Sequence, residues 1–161
     1  MNASQAGVGA IGSKTRRVPL EVDPATSARL ARIRQHGTKP ELIVRTILKQ
    51  LGIRYRTANR SLPGSPDLAN RTRRWAIFVN GCFWHHHKGC RRATTPKRNR
   101  QFWTEKFHLN RIRDAKAVRA LRHRGFQVLL LWECETLDQH VLAARIDRAL
   151  RIKTPTCSQA K

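Results

Sequence analysis

The order of segments along the chain predicts an α/β domain built on a mixed sheet. Two observations carry this. The apolar runs Trp75-Ala76-Ile77-Phe78-Val79 and Val128-Leu129-Leu130-Leu131 have the length and near-continuous hydrophobicity of buried strands. Before, between and after them lie segments whose apolar residues recur at helical spacing, so the chain reads helix, strands, helix, strand, helix. No internal repeat is present.

Residues 1–22 are small, polar and basic without periodicity, which predicts a flexible arm. A short helix is expected over 24–34. Thr38-Lys39-Pro40-Glu41 has the form of a capping box and opens a helix through Leu42, Ile43, Ile47, Leu48 and Leu51, stopped by Gly52. Residues 53–56 read as a short strand, 62–67 as a turn with Asp67 at the start of a strand, and 74–79 as a buried strand. Residues 88–100 form a basic loop. A long helix is expected over 101–124, with Ile112, Ala115, Val118 and Leu121 at roughly helical spacing and Gly125 after its end. A central strand then spans 126–132, and a last amphipathic helix 137–150. Residues 23–151 are thus expected to form one domain, followed by a polar tail over 152–161.

With 161 residues, 33 Lys+Arg and 10 Asp+Glu, the formal net charge is +23 at pH 7. That excess favours a polyanionic partner, nucleic acid ahead of a membrane surface, with affinity falling steeply as salt rises. The basic arm can contribute to such contacts. No apolar stretch approaches the length of a spanning helix, and residues 1–12 lack the basic start and long apolar centre of a signal peptide. A cytoplasmic, nucleoid-associated protein without a membrane partner is expected. Four cysteines in such a reducing compartment favour metal binding over disulfides, with Cys157 left over in the tail.

The segment Gly81-Cys82-Phe83-Trp84-His85-His86-His87-Lys88-Gly89-Cys90 places five transition-metal ligands directly behind the first apolar run. Thiolate and imidazole together suit a zinc-type ion, and two cysteines with a histidine between them supply three of four tetrahedral ligands. Cys134, at the end of the second apolar run, is the natural fourth. On an extended chain, adjacent histidines face opposite ways, so at least one of the three is free for other work. The alternative is a surface histidine cluster beside small buried thiols.

The motifs Leu62-Pro63-Gly64-x-Pro66-Asp67, Phe78-x-x-Gly81-Cys82-Phe83-Trp84-His85, Phe102-Trp103 and Trp132-Glu133-Cys134 occur in the order found in the very short patch repair (Vsr) DNA mismatch endonucleases. Residues 23–151 resemble that family, and Thr38-Lys39-Pro40-Glu41-Leu42 fits its amino-terminal helix. The resemblance implies a restriction-endonuclease-like (PD-(D/E)XK-type) α/β core with a mixed central sheet flanked by helices. It also implies structural zinc (Zn2+), catalytic magnesium (Mg2+) and nicking of one strand of double-stranded DNA beside a T:G mismatch left by 5-methylcytosine deamination. A monomer is expected, with mismatch-repair proteins as candidate partners.

By the same resemblance, Asp67 is the central magnesium ligand and the carbonyl of Val79 the second. His85 acts at the scissile phosphate, where an imidazole is suited to general-base work or to orienting water. Glu41 and Asp114 are acidic residues that orient His85 or the hydrated metal. The zinc set is Cys82, His87, Cys90 and Cys134, with His86 as the alternative histidine, and Phe83, Trp84 and Trp103 form a wedge that enters DNA beside the mismatch. Asn80 departs from the family pattern, which has a His or an acidic residue there.

Each residue also has a plainer reading. Asp67 can shape a turn, His85 can be a fifth zinc candidate, Glu41 closes the capping box, and Asp114 can pair with neighbouring cations. The aromatics can be core, as Phe102 is expected to be. Arg91, Arg92, Lys97, Arg98 and Arg100 are candidates for phosphate contacts. A restriction-type endonuclease of other specificity and a non-catalytic zinc-stabilised nucleic-acid binder therefore stand beside the mismatch endonuclease. Asp67 and His85 separate the enzymes from the binder, since binding alone requires neither.

Overall fold

The structure, a computed structural model, describes residues 36–151 together with Ala28 and Arg32. The expected arm, tail and Cys157 lie outside the described residues. So does the expected helix over 24–34, apart from a backbone hydrogen bond of 3.2 Å from Arg32 N–H to Ala28 O.

Helix α1 spans Lys39–Gln50 and begins at the expected box, with Thr38 as N-cap and Pro40 in the first turn, where its missing N–H costs nothing. It ends in a Schellman motif. Gly52, at φ +67°, donates to Lys49 O at 3.0 Å, and Ile53 donates to Leu48 O at 2.9 Å. The expected strand over 53–56 does not form. Only Arg56 pairs, exchanging two backbone hydrogen bonds with Ala69. The chain then turns at Ala58 (φ 54°), and the Asn59 amide bridges Arg56 O and Pro66 O, which ends any ladder.

Strands β1 (Leu68–Asn70) and β2 (Trp75–Asn80) form an antiparallel hairpin, and β3 (Gln127–Trp132) pairs parallel to β2 in the register Trp75↔Gln127 to Asn80↔Trp132. The sheet is mixed, as expected. Its centre is β2, however, and not the strand over 126–132, because β1 folds back on β2 and leaves β3 at the edge among the described residues. The parallel pair is connected through α2 (Arg100–His123), which ends in a second Schellman motif at Gly125 and Phe126. After β3 comes the 3-10 turn Glu133–Leu137, so the last helix begins at Gln139 and not at the expected Leu137. Glu135 accepts the Trp132 N–H at 2.7 Å and the Thr136 hydroxyl donates to Glu133 O at 2.7 Å. Helix α3 (Gln139–Arg151) follows, with Asp138 Oδ1 accepting the Val141 N–H.

The continuous hydrophobicity of β2 follows from burial on both faces. Trp75 and Ile77 pack with Leu131 against Val44, Ile47 and Leu48 of α1 and Leu142, Ile146 and Leu150 of α3. Ala76 and Phe78 pack with Val128 against Leu121 of α2. Alternation along the strand thus feeds two layers of helix. The buried face of α2 differs from the expected stripe: Val118 and Leu121 are buried, but Ala115 is exposed and Ile112 is 52% exposed, and Trp103 and Phe107 take their place. The first half of α2 packs on an aromatic loop, which rotates the buried face.

The turn before β1 is pressed against α2. Gly64 adopts φ +72°, and a Cβ there would lie 2.4 Å from Ala117 Cβ and 3.3 Å from Phe78. Gly37, also at positive φ (+67°), has nothing within 4 Å. Gly64→Ala should therefore cost about 2–4 kcal/mol of stability, combining backbone strain with overpacking. Gly37→Ala should cost about 1 kcal/mol from strain alone. Urea midpoints of the two variants check the difference.

Candidate active site and metal centre

Asp67 follows the buried Pro66 and stands immediately before β1. Its Oδ2 accepts the Val79 N–H at 2.7 Å, which ties the turn to the end of β2. Burial pushes its carboxyl above the ordinary carboxylate range. The Val79 N–H opposes that shift, Glu41 reinforces it and His36 opposes it. Glu41, only 4% exposed, accepts from Gly37 N–H at 2.8 Å and from the Thr38 hydroxyl at 2.9 Å, and lies 3.5 Å from Arg45. The capping carboxylate therefore also stands close enough to Asp67 to disfavour a second negative charge.

Beyond β2 the chain does not stay extended. His85, His86 and His87 donate to Gly81 O, Phe83 O and Cys82 O, and His86 has φ 47°. This coil sends three adjacent histidines three ways. His85 Nδ1 meets Asp114 Oδ2 of α2. His86 Nε2 lies 3.1 Å from Thr95 Oγ1, and its ring packs on Phe107. His87 Nδ1 lies 3.7 Å from Cys82 Sγ and 3.4 Å from Cys134 Sγ, its ring stacked on Trp132 at 4.0 Å and 2°. Of the histidines the sequence left open for the metal, only His87 joins the thiols.

The ligand atoms of Cys82, His87, Cys90 and Cys134 all lie within 4.8 Å of one another. Zinc–sulfur and zinc–nitrogen bonds of about 2.3 and 2.0–2.1 Å place tetrahedral ligands roughly 3.5–3.8 Å apart, so the four fit such an ion. Without a metal, two of the three thiols favour their protonated form. Burial pushes the Cys82 thiol up to about 12 and raises Cys134, whereas the Arg92 N–H lowers Cys90. A divalent cation at their centre would draw all three protons off.

Phe83, Trp84, Trp103 and Phe107 form one edge-to-face group, with Phe83 5.1, 5.2 and 5.4 Å from the other three rings. Phe83 and Trp84 are half-buried, and Trp103 is buried. Phe102, expected in the core, stands half-buried at the edge of the group, while Phe107 is the enclosed ring. Lys106, which the sequence reading missed, holds its Nζ 5.4–5.6 Å from the centroids of Trp103, Phe102 and Trp84. Its signal was a lysine within an aromatic helical turn.

An open cavity of about 880 Å³ adjoins the His85–Asp114 pair. Val118, Leu130 and Trp132 give it an apolar floor, and Lys88, Arg111, Arg119 and Arg122 give it a cationic rim. Arg119 and Arg122 also went unremarked in the sequence. Their spacing from Arg111 puts them on one helical face, which is legible once the helix phase is known.

A family model described as DNA mismatch endonuclease Vsr matches residues 22–92. The DNA mismatch endonuclease Vsr of Escherichia coli is 35% identical over 131 residues, covering 78% of this chain and 83% of that protein. The chain belongs to the Vsr family. Type II nicking enzyme V.XorIIP of Xanthomonas oryzae is 40% identical over 121 residues, 75% of this chain and 88% of the relative. V.NmeAIP of Neisseria meningitidis, another type II nicking enzyme, is 36% identical over 122 residues, 76% and 86%. As a Vsr-family member, the chain is a DNA endonuclease, and among its described residues no helix is long and apolar enough to cross a membrane.

In this Vsr-family chain the raised Asp67 pKa carries a stability signature. The folded state binds the Asp67 proton more tightly than the unfolded state does, so stability from this group is fullest at acid pH and declines as pH rises towards the folded pKa. Asp67→Asn should therefore melt higher than wild type at neutral pH without divalent metal, by a few degrees at most. The gap should close below the ordinary carboxyl range, and thermal melts from pH 3 to 8 test it.

Proposed function

We propose that this chain nicks one strand of duplex DNA beside a T:G mismatch, by magnesium-dependent phosphodiester hydrolysis on a restriction-endonuclease-like core, and so initiates very short patch repair. The observation that carries the reading is the His85–Asp114 pair on a cationic cavity, one short segment beyond Val79, whose N–H Asp67 accepts. With Nδ1 engaged by the Asp114 carboxylate, Nε2 of His85 is the nitrogen left to take a proton from water. A binding module needs no such pair.

Asp67 and Glu41 form a partly desolvated acidic couple whose mutual repulsion a cation would relieve, so these residues fit a hard metal ion. Magnesium, held by the Asp67 carboxylate and the Val79 carbonyl, would supply charge stabilisation at the phosphate. Phe83 and Trp84 lead the wedge, with Trp103 behind them. A T:G wobble pair unstacks more readily than a Watson–Crick pair, so insertion costs about a few kcal/mol, and stacking returns about 1–3 kcal/mol per base. The structural metal is zinc. Arg111, Arg119 and Arg122 span about 16 Å of helix, enough to follow several phosphates of the strand entering the cavity.

Nicking is tested on paired duplexes that differ only by T:G against C:G, in a cytosine-methylation context with magnesium. Wild type should nick the mismatched duplex and spare the matched one, and Asp67→Ala should bind without cutting. Cleavage of both duplexes would favour a restriction-type specificity; cleavage by Asp67→Ala would remove that residue from the metal site. Separately, Arg119→Ala/Arg122→Ala should lower the slope of log affinity against log salt by about 2, equally for both duplexes, because phosphate contacts carry no mismatch information. Fluorescence anisotropy between 50 and 200 mM salt reads it.

A further inference from the structure

The four thiol and imidazole ligands come from two separate places, the loop 82–90 and the turn after β3, and one carboxylate joins them. Glu133 directly precedes Cys134. Its Oε2 accepts the Cys82 backbone N–H at 3.2 Å, and its Oε1 accepts from Arg92 at 2.8 Å. Arg92 in turn lies two residues past Cys90. The Glu133 side chain therefore touches or adjoins the backbone beside each of the three cysteines, 51 positions apart in sequence at its widest contact.

We propose that Glu133 and Arg92 act as a positioning strut that preassembles the Cys82–His87–Cys90–Cys134 centre and sets how tightly it retains its metal. Three thiolates and one neutral imidazole around a divalent ion leave a net charge of −1. The Glu133 carboxylate adds a further negative charge beside Cys82, and the Arg92 guanidinium, 2.8 Å from it, balances that carboxylate. The pair is partly exposed, at 45% and 32%, and ion pairs of that kind contribute little to folding by themselves. Its effect belongs in metal retention, since groups that orient metal ligands typically change metal affinity by about 10–100-fold. The inference rests on the metal centre and not on DNA cleavage, and no DNA enters its test.

The test is zinc affinity by chelator competition on the full chain, with cobalt(II) substitution reporting ligand geometry. Glu133→Ala should weaken zinc binding about 10–100-fold and broaden the cobalt spectrum. Glu133→Gln keeps an acceptor for the Cys82 N–H but loses the ion pair, so it should fall between wild type and Glu133→Ala and match Arg92→Ala. The double variant Glu133→Ala/Arg92→Ala should lose no more than Glu133→Ala alone, the mark of residues acting as a unit. Arg92→Ala and Glu133→Gln change partly exposed side chains and keep the test readable if Glu133→Ala folds poorly. Metal-free melting temperatures of these two should equal that of metal-free wild type, which a merely structural role would not allow. Zinc affinity within twofold of wild type in Arg92→Ala and Glu133→Gln would overturn the proposal, as would strictly additive losses. A wild-type chain that takes up no zinc would overturn the metal centre as well.

Discussion

The parallel pairing of β2 with β3 is the constraint on which the rest depends. Its register ends at Asn80↔Trp132, so the segments leaving both strands start side by side at one edge of the sheet. Parallel neighbours need a long crossover, and here that crossover is the basic loop and α2. The loop brings Cys82, His87 and Cys90 to Cys134, and the helix brings Asp114 to His85. Both juxtapositions come from the same topological fact, the placement of loops at the carboxyl ends of parallel strands, which is where α/β sheets build sites.

The coil over 81–87 makes the two centres mechanically inseparable. Cys82 and His87 point to the thiol cluster, while His85, between them, meets Asp114. A change in the coil that moved one would move the other. The aromatic pair Phe83–Trp84 is carried on the same few residues, and Asn110 of α2 fastens it by donating to Trp84 O at 2.8 Å. The metal ligands Cys82 and His87, His85 and the Phe83–Trp84 pair thus share one short piece of backbone, held by β2 and Glu133 at its start and by Arg92 beyond its end.

Elements with strong local chemistry were legible in the sequence. The capping box at Thr38–Glu41, the glycine stops at Gly52 and Gly125 and the two apolar runs all depend on neighbours within a few residues. The cysteine set was legible because soft ligands are scarce. Features set by tertiary packing were not. Strand order depends on how β1 returns on β2, and nothing local in 126–132 distinguishes an edge from a centre. The buried stripe of α2 failed at Ile112 because the aromatic loop, not the sheet, meets the first half of that helix. The assignment of one histidine to each partner depends on a positive φ at His86, a conformation histidine visits rarely enough that spacing arguments start from an extended chain. Glu133 was visible only as a neighbour of Cys134, since its contact with Cys82 spans the whole crossover.

Lys106 has a colloidal consequence. Half-buried rings such as Phe83, Trp84 and Phe102 are ordinarily a place where two copies of a protein can adhere. A cation resting over Trp84, Phe102 and Trp103 changes that, because bringing two such patches together would confront like charges across a surface being stripped of water. A polyanion meets the opposite sign at the same spot. One amino group thereby sets opposite electrostatic costs for a second copy of this patch and for a polyanion at the same rings.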